Sequence, residues 1–166
     1  MNLLIKSSVK TLNKSRHLLT KLSDAQLANV SVSPYYSSIG SHIRHILDFY
    51  SCIFNESEKT IDLTARNRDL DVEKYCDTAI SYLDNIIEKV GRLNAFEMHR
   101  DIVVIDDFGM GNTELKYTFV ALLAQANSHT IHHYAIINYI LDRLNIEVED
   151  DSFGYNPTTP KQVIVE

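Results

Sequence analysis

Two short segments contain five of the seven histidines of the chain. Positions 41–45 read SHIRH and positions 128–133 read SHTIHH, and each segment lies in an apolar stretch with helical spacing. Imidazole nitrogens are common ligands of divalent metal ions, with zinc–nitrogen distances of about 2.0–2.1 Å. A buried metal site is therefore the first hypothesis that these residues raise.

His129 and His133 have the spacing of two ligands on one helical face. Residues four apart are separated by about 40° around a helix, so both imidazoles can reach one ion. They lie at the centre of a predicted apolar face formed by Leu122, Ala126, His129, His133, Ile136, Ile140 and Leu144. A buried polar group without a partner costs about 1–3 kcal/mol, and a shared cation would satisfy both rings. The alternative is that both rings bond to backbone carbonyls or water; the centred pair favours a metal.

The spacing leaves the third ligand open between His42 and His45. His42 lies nearer the centre of the apolar face of its helix, and His45 lies nearer the edge. Three further residues are candidates for hydrogen bonding to the ligands without binding the ion. They are His42 or His45, whichever is not a ligand, Asp48 as an acceptor for a ring N–H, and His132. His132 points away from the centre of its face, which makes it a weaker candidate.

The hydrophobic periodicity predicts four long helices and one hairpin. Strands are expected at 101–106 and 113–117 around the turn sequence GMGN, because the first segment is short and β-branched. The helices are expected near 5–24, from Ser37 or Ser38 to 55, from 69 or 71 to 91, and at 119–144. The predicted fold is all-α: an antiparallel four-helix bundle with a small β-hairpin between helices three and four, in a single domain spanning 1–166.

The composition fits one small soluble domain and excludes several partners. The chain has 166 residues, 45% of them hydrophobic, and a net charge of −6. Because no cluster of Lys and Arg is present to neutralise phosphates, neither nucleic acid nor an anionic membrane is an expected partner. No segment approaches the roughly 18 apolar residues of a membrane span, and the N-terminal residues lack a secretory pattern, so a cytoplasmic location is expected. Cys52 and Cys76 are predicted to be reduced thiols.

Several motifs together resemble one known family. SIGSHIRHILD at 38–48, ARNRD at 65–69, SHTIHHYA at 128–135 and FGYNPTT at 153–159, in this order, resemble the DinB-like (DinB/YfiT) metal-binding superfamily over nearly the whole chain. The resemblance implies a divalent metal ion, nickel or zinc, held by His45, His129 and His133. His42 stands where that family more often has an apolar residue.

The resemblance also implies a type of activity. Three protein nitrogens and an open coordination position are typical of a catalytic site, and relatives in the superfamily include thiol transferases and hydrolases. The expected function is therefore metal-dependent thiol transfer or hydrolysis on a small molecule, which could be a low-molecular-weight thiol. The alternative is a non-catalytic metal- or ligand-binding or sensing protein, because the sequence identifies no catalytic carboxylate. A homodimer is expected by resemblance and from Ile131, Tyr134 and either Ile137 or Asn138, residues outside the histidine face.

Overall fold

The computed structural model describes residues 2–160, which form seven helices and three strands. The four long helices are α1 (Leu3–Leu19), α3 (Ile39–Phe54), α5 (Cys76–Arg92) and α7 (Phe119–Arg143). The short helices are α2 (Asp24–Leu27), α4 (Asp71–Lys74) and α6 (Ala95–Met98), and the strands are β1 (Thr60–Asp62), β2 (Asp101–Asp107) and β3 (Asn112–Thr118). No helix within the described range is long and apolar enough to cross a bilayer.

The sheet contains one strand more than the sequence predicts. β2 and β3 pair antiparallel, so the hairpin expected at this place is present. β1 pairs parallel with β2, with Ile61 opposite Val104, and both of these side chains are buried. The prediction of an all-α, antiparallel four-helix bundle is therefore wrong. The protein has a mixed α/β fold, in which a three-stranded sheet of order β1-β2-β3 accompanies the helices.

The extra strand escaped sequence reasoning because it is short. β1 has three residues and lies between the helix expected to end at 55 and the helix expected from 69 or 71. A run of that length is too brief to show the alternation of apolar and polar residues that identifies a strand. The strand is held by pairing with β2 and by the burial of Ile61 within it and of Leu63 just after it. Tertiary pairing rather than local pattern therefore determines this element.

The long helices pack against one another in pairs. α1 contacts α5 and α7, and α3 contacts the same two helices. The predicted apolar face of helix three is confirmed in α5, where the buried residues are Cys76, Ala79, Leu83, Ile86 and Val90. The helix expected from 69 or 71 is nevertheless interrupted at Tyr75, which has an extended backbone. The next helix, α5, begins at Cys76, whose backbone N–H donates to the Asp24 carboxylate at 2.8 Å.

The buried face of α7 is rotated from the one expected. Thr130, Tyr134 and Ile137 are fully buried on this helix, whereas His129 and His133 are half-buried. The two histidines therefore lie at the border of the core, and the prediction that they occupy its centre is wrong. Tyr134 and Ile137 also face the interior of the chain, so neither is available for the suggested homodimer interface, whereas Ile131 is only half-buried.

The C-terminal tail explains this rotation. Phe153 is buried, and its ring stacks on Tyr134 with ring centroids 4.6 Å apart. The Tyr134 hydroxyl donates to the Thr11 carbonyl on α1 at 2.9 Å. Helix α7 is thus covered by α1 and the tail on its Tyr134 side. Its histidine side is left at the edge of the core, facing α3.

The start of α3 lies unusually close to α4. Ser38 caps the helix, since its hydroxyl accepts the Ser41 backbone N–H at 2.9 Å. A Cβ atom on Gly40 would lie 2.0 Å from the backbone oxygen of Glu73. Only glycine permits this approach, because backbone atoms cannot move aside as a flexible side chain does.

The substitution Gly40→Ala is expected to destabilise the fold by about 1–3 kcal/mol or more, because the added methyl group collides with the backbone of α4. Gly91→Ala is the matched control, since a Cβ atom at this position in α5 meets nothing within 4 Å. It should be neutral or stabilising by up to about 1 kcal/mol through higher helix propensity. Urea unfolding followed by circular dichroism measures both. Equal stabilities for the two variants would contradict the close approach.

Candidate metal centre

Two helices bring four histidines to one place. His42 and His45 lie on α3, and His129 and His133 lie on α7, which packs against it. Thr118 caps α7 by accepting the Ala121 backbone N–H, and the 25 residues that follow are continuous helix. The four-residue spacing of His129 and His133 puts both rings on the side of α7 that faces α3. The contact between these helices therefore creates the cluster.

The three histidines predicted as ligands come together in the structure. His45, His129 and His133 each present a ring nitrogen, and these three atoms lie within 4.8 Å of one another. Nε2 of His45 is 2.9 Å from Nε2 of His129. Two nitrogens at opposite corners of a tetrahedral zinc site are about 3.3 Å apart when each bond is about 2.05 Å. His45 and His129 thus fit one divalent ion after a small increase in this distance, and His133 belongs to the same group.

His42 contacts a ligand candidate from outside the group of three. Its Nδ1 lies 2.9 Å from Nδ1 of His133, and its Nε2 lies 2.9 Å from the Ser37 hydroxyl oxygen. With a proton on Nδ1, His133 donates to His42 and keeps the lone pair of Nε2 for an ion. His42 in turn donates from Nε2 to Ser37. This chain of contacts suits a residue that fixes the tautomer of a ligand.

Burial keeps the cluster uncharged. Burial, followed by the neighbouring His129 and His45, lowers the pKa of His133 to about 3. Burial, followed by the charge of Arg66, lowers the pKa of His45 to about 4. The pKa values of His42 and His129 are also lowered, first by burial and then by His132. At neutral pH these rings are therefore neutral, which is the state that binds metal ions.

Arg66 makes a contact with the cluster that the sequence did not predict. Its Nη1 donates to Nδ1 of His45 at 3.0 Å, and its Nε donates to the Leu63 carbonyl at 3.0 Å. The side chain is half-buried. Within residues 2–160, Arg66 forms no ion pair with a carboxylate. The Arg66 guanidinium, which has no carboxylate partner, thus contacts Nδ1 of His45, and the other ring nitrogen of His45, Nε2, faces His129.

Asp48 does not have the position expected for it. It is fully buried, but it accepts from Arg44 at 2.8 Å and from the Arg68 backbone N–H at 3.2 Å. The Tyr82 hydroxyl also donates to it, at 3.3 Å. No hydrogen bond joins it to a histidine among the described residues. Asp48 therefore fastens the 63–68 loop to α3 and positions Arg66, and the prediction that it accepts from a ligand ring is not met by this geometry.

His132 remains at the periphery. Its side chain is exposed, and its ring centroid is 5.3 Å from that of His133. The part of the chain that the structure describes contains no hydrogen bond from His132 to the other rings. Its influence on the cluster is electrostatic, since it lowers the pKa of His42 and His129 after the larger effect of burial.

The sheet brings a carboxylate towards the cluster that sequence reasoning missed. Burial, His132 and Arg66 lower the pKa of His129, and Asp106 opposes them because its negative charge favours the protonated ring. Asp106 lies near the end of β2, directly after Ile105, which pairs with Asp62, the last residue of β1. Since β1 and β2 are parallel, the Arg66 loop and Asp106 leave the same end of the sheet. Sequence reasoning could not find this carboxylate, because β1 was not predicted.

Both cysteines are free and buried, as predicted. Burial, the largest effect, raises the pKa of Cys52 to about 11 and of Cys76 to about 11. Cys52 also donates from its sulfur to the Ala65 carbonyl at 3.6 Å, which adds a second attachment of the loop to α3. Neither thiol is a nucleophile at neutral pH, because the thiolate is the reactive form.

Comparison with known proteins identifies no relative: the chain matches no protein-family model, no curated protein and no solved structure. The resemblance to the DinB-like superfamily therefore remains a prediction from the motifs.

Replacing a ligand should affect metal binding far more than replacing its neighbours. His45→Ala, His129→Ala and His133→Ala should each lose stoichiometric binding of Zn²⁺ or Ni²⁺, because one of three nitrogens is removed. His42→Ala should weaken binding by about 10–100-fold, as expected for a residue that orients a ligand. His99→Ala, at an exposed histidine outside the cluster, is the control with unchanged affinity. Competitive titration against a chromophoric chelator measures all five variants.

Two results would contradict this assignment. Stoichiometric metal in both His129→Ala and His133→Ala would remove the pair from the site. A larger loss in His42→Ala than in His45→Ala would transfer the third ligand position to His42.

Proposed function

We propose that this protein is a metal-dependent enzyme of the DinB-like type, which transfers a thiol group or hydrolyses a small molecule at a divalent ion held by His45, His129 and His133. The observation that carries the proposal is the convergence of three neutral ring nitrogens within 4.8 Å. Structural zinc sites use four protein ligands, whereas three ligands and an open position are typical of catalysis. Nickel and zinc both suit imidazole nitrogens.

Different residues of the chain have different roles in such a site. A bound divalent ion supplies Lewis-acid activation of a thiol or water nucleophile. His45, His129 and His133 hold the ion, and His42 keeps His133 in the tautomer that leaves Nε2 free. Asp106 is the proposed proton acceptor, because it follows the β2 residue that pairs with the end of β1 and so leaves the sheet at the same end as the Arg66 loop; its negative charge also opposes the lowering of the His129 pKa. Its Oδ1 accepts the Asp107 backbone N–H at 2.9 Å, whereas Oδ2 has no hydrogen bond among the described residues.

Activity should depend on the metal and on these residues. The protein should catalyse thiol transfer or ester hydrolysis, lose that activity with a chelator and regain it with one equivalent of Zn²⁺ or Ni²⁺ per chain. Asp106→Asn should lower turnover by about 10²–10⁴-fold, the usual contribution of a general base, while the metal content remains unchanged. Asp101→Asn is the matched control, because Asp101 is exposed at the opposite end of β2. Elemental analysis accompanies each assay.

A non-catalytic binding or sensing protein is the second candidate, and one observation favours it. His45 is hydrogen-bonded to Arg66 and to His129, and His133 is hydrogen-bonded to His42. No carboxylate among residues 2–160 hydrogen-bonds to these three rings. Stoichiometric metal without turnover in either assay, with Asp106→Asn indistinguishable from the wild type, would select this alternative.

The homodimer also remains a proposal, and it now rests on the motif resemblance and on half-buried Ile131. Tyr134 is 1% exposed and Ile137 is fully buried, so neither can contribute to an interface between chains. Light scattering at micromolar concentration should nevertheless give the mass of two chains. The mass of one chain would remove the homodimer from the proposal and leave the metal centre unaffected.

A further inference from the structure

We propose that Arg66 recognises a carboxylate on the small molecule that enters the metal centre, and that metal binding at His45 releases the guanidinium for this role. The inference rests on the proposed metal-dependent function. It adds the chemical class of the ligand and the residue that selects it.

The contact with Arg66 determines which nitrogen of His45 carries the proton. A guanidinium donates and never accepts, so Nδ1 of His45 is the acceptor in its 3.0 Å contact with Arg66. The ring proton of neutral His45 is then on Nε2, which is 2.9 Å from Nε2 of His129. In this arrangement His45 donates to His129. Its Nε2 lone pair is not available to an ion.

Coordination by His45 reverses this arrangement. Nε2 is the nitrogen of His45 that faces His129, so it is the one positioned to coordinate. When its lone pair binds an ion, the neutral ring carries its proton on Nδ1. Two donors, Nδ1 of His45 and Nη1 of Arg66, then face each other, and their hydrogen bond is lost. The guanidinium needs a new acceptor.

The loop keeps that guanidinium beside the centre. Nε of Arg66 is attached to the Leu63 carbonyl at 3.0 Å, a contact that does not involve His45. The backbone of Arg68 is fastened to buried Asp48, and Ala65 accepts from Cys52. The side chain can therefore turn away from His45 by rotating its outer groups without leaving the site.

Charge determines what the released group binds. Three neutral imidazoles leave the double positive charge of the ion uncompensated, and half-buried Arg66 adds a further charge without forming an ion pair in the described part of the chain. An anionic ligand with two acceptor oxygens matches the two parallel N–H groups of a guanidinium. A carboxylate has this geometry, and it leaves another group of the same molecule to meet the ion.

Arg68 offers a comparison within the same loop. Its side chain is exposed, and among the described residues it forms no hydrogen bond with a histidine. Only its backbone is involved in fastening the loop, through the N–H donated to Asp48. It is therefore a suitable control for the effect of a loop arginine that does not reach the cluster.

The test compares two thiols of similar size on Zn²⁺-loaded protein by isothermal titration calorimetry. Mercaptoacetate carries a carboxylate, and 2-mercaptoethanol carries a hydroxyl group in its place. Wild-type protein should bind mercaptoacetate about 10–100-fold more tightly, as expected for a charge-assisted hydrogen bond. Arg66→Gln should abolish that preference and leave the affinity for 2-mercaptoethanol unchanged, whereas Arg68→Gln should retain the preference. Arg66→Lys, which keeps the charge but not the fork, should retain part of it.

A second readout addresses the release itself. Because the wild-type contact with Arg66 competes with coordination by His45, Arg66→Gln should bind Zn²⁺ about 3–10-fold more tightly, the factor of one net hydrogen bond. Circular dichroism verifies that each variant is folded. The proposal is overturned if Arg66→Gln retains the preference for mercaptoacetate, if Arg68→Gln loses it equally, or if Arg66→Gln weakens Zn²⁺ binding. If the wild type binds no Zn²⁺, the proposed function itself fails, a result distinct from these three.

Discussion

The contact between α3 and α7 is the constraint on which the rest of the site depends. Each helix supplies two histidines at fixed spacing, so the relative position of the two axes sets every distance between rings. The same contact half-buries the rings, and burial is the largest cause of their lowered pKa values. Packing therefore provides both the geometry and the protonation state that a metal ion requires. Gly40, which lets the start of α3 approach α4, supports this arrangement from outside the site.

The 63–68 loop depends on a second, independent set of contacts. Fully buried Asp48 holds Arg44, the Tyr82 hydroxyl and the Arg68 backbone N–H, so one carboxylate joins α3, α5 and the loop. A buried carboxylate is costly unless it is paired and fully hydrogen-bonded, and here the partners satisfy it. Removing it would leave Arg44 with Glu73 alone. The position of Arg66 thus follows from an ion pair that does not itself touch a histidine.

The sequence predicts the parts of this molecule that depend on local pattern. The hairpin, the buried face of α5 and the extents of α3 and α7 follow from alternation, periodicity and caps. The meeting of His45, His129 and His133 follows from spacing together with the motif resemblance. The buried face of α7 could not be predicted, because Phe153 and α1 decide which side is covered. β1 could not be predicted either, since pairing with β2 creates it.

The unpredicted strand has a consequence for the chemistry of the site. A plain connection between α3 and α5 would leave the Arg66 loop with no fixed relation to β2. Because β1 and β2 are parallel, β1 ends beside Ile105, the residue before Asp106. The backbone N–H of Leu63, just after β1, donates to the Ile105 carbonyl at 2.9 Å. The loop of Arg66, which donates to His45, and Asp106, whose charge acts on His129, therefore leave the sheet at one end, while the helices supply the uncharged histidines. In the proposed site the helices would hold the ion, and the charges at the sheet end would select and deprotonate the molecule that it binds.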